Sequence, residues 1–302
     1  MSIPLFDCHC DTISRVIAEG GSLRKNGFDL DLERLKKFAP SAQVFAVCTE
    51  TLERPIEKAE ATLCRLKQEI EENSDIVMLC LNFHDIQKAI AGGKIAAIIS
   101  IEGCEQIASL ENAFKIGIRM LHPTWNFDNY LSGAAMGSGR ELSENGRAFV
   151  VKAQSMGFVL DMSHISEHGF WDVLEICEKP VIAGHSNAKA LCNVPRNLTD
   201  EQFKALAAMG GGAGINLYPE FLGLDRDISA VIAHVEHFLS LGGERAVFLG
   251  CDFDGINCAP TKLSGVQELG MLYNELLKRN YPEALVRAIF WDNLYDIMEK
   301  ML

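Results

Sequence analysis

The chain lacks any apolar stretch of about 18 residues, the length a membrane-spanning helix needs, so no membrane segment is expected. It has no Lys/Arg cluster beyond pairs such as Lys36 and Lys37, and 28 basic against 41 acidic residues leave a formal net charge of −13. Phosphate binding needs a basic surface, so this balance excludes nucleic acid as the expected partner. No CxxC pair occurs, and the ten cysteines are scattered. They are expected to stay reduced, most of them as small buried hydrophobes. The chain opens into Ile3-Pro4-Leu5-Phe6-Asp7 without a basic n-region and apolar h-region, which gives a cytoplasmic location as the expectation. Low-complexity tracts and Pro/Gly/Ser-rich linkers are also missing from the 302 residues, which are 48% hydrophobic and 23% charged. Length alone permits one domain or two, and residues 1–302 are read as a single domain with a sizeable core.

What is present is a recurrence of short apolar runs: 3–8, 43–49, 95–101, 117–121, 158–162, 181–184, 212–217 and 247–251. Segments of helical spacing separate them, among them 55–72, 148–156, 170–178, 201–209 and 228–241. Strand and helix alternating throughout imply a parallel sheet. Eight such units predict a closed (β/α)8 barrel of the TIM type, with Pro282 to Lys300 as the helix after the last strand. An open doubly wound sheet is the alternative. The barrel is preferred because the polar candidates all follow strands, and closure brings every strand end to one face. The long connection from Pro123 to Gly146, rich in Gly and Ser and containing Trp125 and Tyr130, is expected to be a functional loop.

Five runs end in residues that bind divalent metals. His9 and Asp11 stand two apart at the end of the first run, so both side chains leave one face of a strand. Cys8 and Cys10, at odd offsets, are expected to point away from it. Taken alone, His-x-Asp more often marks a polar strand end bonded to a loop than a metal site. Glu102 follows Ala96-Ala97-Ile98-Ile99-Ser100-Ile101, a run too apolar to leave a carboxylate without a counter-charge, and a salt bridge or a helix cap would serve it as well as a metal. His164 and His185 repeat one design, apolar strand then histidine, in consecutive units; imidazole is the commonest metal ligand, and two unrelated strand-end histidines bonded to loops fit as well. Asp252, closer to its strand than Asp254, is the candidate for chemistry, with a structural loop Asp as the alternative. His122 at the fourth strand end and Arg196 after the sixth suit a barrel mouth, although the bare sequence favours a strand-end hydrogen bond for the one and a surface ion pair for the other. His84, His168, His234 and His237 lie in helical segments and are read as surface or satisfied side chains.

In chain order these residues resemble the membrane (renal-type) dipeptidase family, peptidase family M19, among the amidohydrolase-like metal barrels. Asp7-Cys8-His9-Cys10-Asp11-Thr12 is similar to its DxHxDT opening, and Glu102-Gly103 to its bridging-Glu motif. Leu121-His122 with Asn126, then Leu142 through Asp161-x-Ser163-His164, His185-Ser186, Arg196-Asn197, Asn216-x-Tyr218 and Asp252-Phe253-Asp254-Gly255 continue the match from residue 7 to 255.

The resemblance implies a binuclear zinc site in which Glu102 bridges, His9 and Asp11 serve one ion, and His164 and His185 serve the other. It implies hydrolysis of free dipeptides by a bridging hydroxide, with Asp252 moving the proton and His122 stabilising the oxyanion. Arg196, with His122, Asn197 and Tyr218, would bind the substrate, Arg196 taking its C-terminal carboxylate. A homodimer is likewise implied. The chain departs from the family pattern at Cys8, Cys10, Cys104 and Leu121, and its ending Trp291-Asp292-Asn293-Leu294 is only loosely similar. Alternatives are a binuclear hydrolase of another small amide, lactone or phosphoester, for which Arg196 is the discriminator, and a non-catalytic metal-binding barrel.

Overall fold

The computed structural model describes residues 2–223 and 226–302. Eight of the apolar runs form parallel strands: β1 (Leu5–Cys10), β2 (Ser41–Val47), β4 (Ile95–Glu102), β5 (Ile118–His122), β6 (Val159–Leu160), β7 (Ile182–Ala183), β8 (Gly212–Ile215) and β9 (Val247–Leu249). They pair in the order β6-β5-β4-β2-β1-β9-β8-β7. A parallel bridge between Asp161 and Ile182 joins β6 to β7 and closes the ring, as the alternation predicts.

One strand escaped the sequence reading. β3 (Val77–Leu79) pairs with Ile95 to Ala97 of β4, while β5 pairs from Ile99 onward. β2 occupies the other edge of β4, so β3 and β5 share one edge end to end. An apolar run, Ile76 to Leu81, marks it in the sequence, but an eight-stranded ring has no ninth place for it.

Alternation along each strand sorts the side chains into two layers. Leu5, Phe45, Val47, Ile99 and Ile101 face outward onto helices, among them Pro55–Glu72 with its buried Leu63, Leu66 and Ile70. Phe6, Val44, Ile98, Met120, Val159, Ile182 and Phe248 fill the interior. The C-terminal segment closes the barrel where the strands begin: Trp291 packs on Phe6 with ring centroids 5.6 Å apart, and Leu294, Ile297 and Met298 join the same cluster. This segment is helical from Glu283 to Met301 through a π turn at Ala288–Asp292, and Asn293 donates to the carbonyls of Glu244 and Val247 beneath β9.

Toward the opposite end the interior turns polar, with Ser100, Glu102, His122, Asp161, Asn216 and His185 all buried. Here β7, β8 and β9 approach so closely that a Cβ on Gly250 would fall 1.7 Å from the Gly184 carbonyl, and one on Gly184 would fall 2.0 Å from Asp161 Oδ2. Among the described residues no helix is long and apolar enough to cross a membrane. All ten cysteines are free, and Cys8, Cys10, Cys48, Cys80, Cys104 and Cys251 are buried.

Candidate metal centre

β1 does not run as a regular strand. Its register against β2 shifts between Asp7 and Cys10, and the irregularity places Cys8 in the interior cluster beside Phe6, next to the outward-packed Cys10. The expectation that both cysteines face away from His9 therefore holds for Cys10 and is corrected for Cys8, because a bulge breaks the period of two. His9 also turns inward, and its ring lies 4.0 Å from that of His185 and 5.4 Å from that of His122.

Glu102 is the centre of the cluster. Its Oε1 lies 2.7 Å from His164 Nε2, 3.3 Å from His185 Nε2 and 3.6 Å from His9 Nε2. His9 Nε2 is also 3.1 Å from Asp11 Oδ2 and 3.8 Å from Asp252 Oδ1. The five strand-end candidates and Asp252 thus converge from β1, β4, β6, β7 and β9. The ligand atoms form two overlapping groups, one of His9, Glu102, His122 and His185, the other of His9, Asp11 and Asp252.

The donor set fits divalent metal. His164 Nε2 and His185 Nε2 face each other at 2.9 Å. Burial, with the positive charges of Arg196 and His9, holds both imidazoles well below their ordinary pKa. His164 Nδ1 lies 3.0 Å from Asn126 Oδ1, which can only accept, so the proton sits on Nδ1 and the Nε2 lone pair is presented inward. Two neutral imidazole groups converging on a shared carboxylate oxygen, beside a third histidine and a second carboxylate, form the kind of O/N cage that binds such ions.

The remaining charges are tuned by the same burial. Burial alone would lower His9, but Glu102, Asp11 and Asp252 raise it to about 10. Burial, with Asp11 and Glu102, pushes Asp252 up to about 7 against the pull of His9. Asp252 sits in the left-handed region at φ 62°, a conformation uncommon outside glycine, and Asn216 Nδ2 holds its Oδ2 at 2.8 Å. Burial lowers His122 to about 4 despite Asp161 and Glu102.

A cavity of about 260 Å³ opens above the cluster, lined by Asp11, Glu102, His164, Asp252, Arg196 and Tyr218, with Trp125 and Asn126 from the long loop. His122 is fully buried beneath the cluster and does not line the cavity, its Nε2 3.6 Å from Asp161 Oδ2. Arg196 is buried, donates to His164 Nε2 at 3.0 Å, and lies over the Phe221 ring at 5.5 Å. Asn197 has a different place from its expected one: its amide donates to the Cys192 and Phe221 carbonyls, tying the Arg196 loop down, and it does not line the cavity. Tyr130 stands exposed away from it.

The sequence reading missed Cys48 and Glu50 after β2, Phe221, and Ile256 and Asn257 after β9, all of which line the cavity. Their only signal was position, just beyond strand ends. Gly255 also has a steric role: a Cβ there would lie 2.3 Å from Asp11 Oδ2 and 2.5 Å from Asp252 Oδ1.

Comparison with known proteins gives the same constellation a context. The family described as membrane dipeptidase (peptidase family M19) matches residues 1–301. The chain is 31% identical over 264 residues to an uncharacterized protein in the pqqA 5′ region of Klebsiella pneumoniae, covering 82% of this chain and 97% of that one. A metallo peptidase from Rhodobacter sphaeroides, solved with a phosphinate mimic of the dipeptide L-Ala-D-Ala, superposes with a TM-score of 0.93 at 26% identity over 100% of both chains. The M19 metallo peptidase dipeptidase AC superposes with a TM-score of 0.89 at 27% identity, over 100% of this chain and 99% of that one.

Proposed function

Because the chain belongs to the membrane dipeptidase family, peptidase family M19, and is a metallo-dipeptidase, we propose that it is a binuclear zinc enzyme that cleaves the peptide bond of free dipeptides. The observation that carries this reading is Glu102 Oε1, within 2.7 to 3.6 Å of three histidine Nε2 atoms at the floor of a cavity whose wall holds a buried arginine. His9 and Asp11 would hold one ion, His164 and His185 the other, and Glu102 both. Bound there, the ions would polarise the scissile carbonyl and acidify the attacking water. The family match over 1–301 supports reading residues 1–302 as one hydrolase domain.

The chain's own residues would do the rest. Asp252, raised to about 7, takes a proton from the attacking water and returns it to the leaving amine. His122, neutral and buried beside Glu102, would stabilise the oxygen on which negative charge develops. Arg196 pairs with the C-terminal carboxylate, its fork stacked on Phe221, and Tyr218 forms the neighbouring wall. Two charged ends and a small cavity favour two residues over longer peptides. The phosphinate ligand of the Rhodobacter protein is tetrahedral at phosphorus, as the attacked carbonyl carbon becomes, and its D-Ala end supports testing both configurations here.

The test is hydrolysis of L,L and L,D dipeptides after zinc reconstitution, beside N-acylated, C-amidated and tripeptide controls, with metal content per chain. Turnover confined to free dipeptides with two ions bound is expected. Two ions without dipeptide turnover would sink the substrate assignment and redirect the search to other amides, lactones or phosphoesters.

A further inference from the structure

Glu50 is a carboxylate at the cavity wall that neither the ligand set nor the proton transfer uses. It follows β2, while Arg196 follows β7. In the ring order, three strands separate β2 from β7 in either direction, so the two loops face each other across the mouth. A dipeptide with its carboxylate on Arg196 and its scissile bond above Glu102 therefore directs its N-terminal residue toward the β2 loop. Asp11, Glu102 and Asp252 line the same cavity, gathered around His9. Glu50 stands farther out, exposed.

Beyond it there is room for a long side chain. A groove of about 970 Å³ between the helices Thr12–Glu19 and Pro55–Glu72 shares Cys48 and Glu50 with the catalytic cavity. The buried Cys48 offers an apolar surface for a methylene stem. Among the described residues Glu50 makes no ion pair with the cations of that groove: Arg15 pairs with Glu19, Arg65 with Glu69, and Lys58 stays beyond salt-bridge distance of it. Burial and the Asp11 and Glu102 carboxylates also push the Glu50 carboxyl up, the sign of a wall that gains from a cation.

We infer that this site selects dipeptides whose N-terminal residue carries a cationic side chain, with Glu50 as the residue that recognises the charge. The inference rests on the dipeptidase reading and on the substrate direction that Arg196 sets.

The experiment compares kcat/KM of the zinc-loaded protein for Lys-Ala, norleucyl-Ala, Glu-Ala and Ala-Lys, in wild type, Glu50→Gln and Glu50→Lys, with metal content measured for each. Norleucine keeps the stem and removes the charge. Wild type is expected to favour Lys-Ala over norleucyl-Ala by about tenfold, the scale of one charge-assisted hydrogen bond. That ratio should collapse in Glu50→Gln at unchanged metal content, and Glu50→Lys should favour Glu-Ala. Equal turnover of Lys-Ala and norleucyl-Ala by wild type overturns this inference alone. So does a Glu50→Gln variant that slows every dipeptide by the same factor, since Glu50 would then be serving the α-amine. Absence of turnover on every dipeptide overturns the dipeptidase reading itself, and this inference with it.

Discussion

Asn216 donates from Nδ2 to one oxygen of Asp252 at 2.8 Å and leaves the other oxygen 3.8 Å from His9 Nε2. A single amide thus fixes the orientation of the carboxylate, and with it, on the proposed mechanism, the oxygen that would meet the attacking water. Asp252→Asn is expected to lower kcat by about 10² to 10⁴ while metal content stays near wild type. Asn216→Ala should cost less, about 10- to 100-fold, because the carboxylate remains but loses its orientation. Steady-state kinetics with metal analysis checks both, and an Asp252→Asn protein of normal turnover would remove Asp252 from the chemistry.

Arg196→Lys should raise KM for free dipeptides by roughly tenfold or more, since an ammonium keeps the charge but lacks the fork that grips a carboxylate. C-amidated substrates should change little. If free and amidated dipeptides lose activity alike, Arg196 acts on the ligand His164, which it touches at 3.0 Å, and not on the substrate.

Gly255→Ala places a methyl group within 2.5 Å of both Asp11 and Asp252 carboxylate oxygens. Metal occupancy and kcat should fall at least about tenfold with a melting temperature close to wild type, because the crowding is confined to the polar end of the barrel. Retained occupancy and activity would show that the two carboxylates have room to separate.

Chelation should destabilise the protein as well as inactivate it. A ligand that binds only the folded state at 100 times its Kd stabilises by about 2.7 kcal/mol, so removing it lowers the melting temperature. Thermal scans before and after dialysis against chelator, then after zinc addition, should show a drop and its recovery together with activity.

His234 predicts an acid-sensitive clasp. Its Nδ1 accepts from Ala188 N–H at 3.1 Å and its Nε2 donates to the Leu222 carbonyl at 3.2 Å, joining the Arg196 loop to the segment after Tyr218. Burial lowers it from 6.5 to about 4. The unfolded chain therefore binds the proton first, so the contribution is fully present above about 6.5 and lost as pH falls toward 4, up to roughly 3 kcal/mol. Denaturant titrations between pH 7 and 4 should show a flatter decline in His234→Asn than in wild type, and parallel curves would refute the assignment.

The convergence of the strand-end candidates was legible because a closed parallel barrel leaves few other places for them. His164 and His185 each follow an apolar run, and β/α alternation alone sends both to one face. β3 was passed over although Ile76 to Leu81 is apolar, because it pairs beside β5 on one edge of β4 and adds no ninth place to the ring, which a local pattern cannot show. Cys8 was misplaced because a bulge leaves no mark in composition. Asn197 carried the right motif, yet its amide is spent on the Cys192 and Phe221 carbonyls, and motif position says nothing about which way an amide turns.

By itself the sequence determined the alternation of strand and helix, the parallel sheet, and the residue types that end each strand, since all of these are set within a few positions by side-chain period and hydropathy. Only the tertiary structure decided that Glu102 Oε1 would meet three histidines, that Gly255 must yield space to Asp11 and Asp252, and that Glu50 would face Arg196 across the mouth. Those contacts join residues tens to hundreds of positions apart. They depend on ring closure, strand register and one bulge in β1, which arise from packing the whole barrel at once.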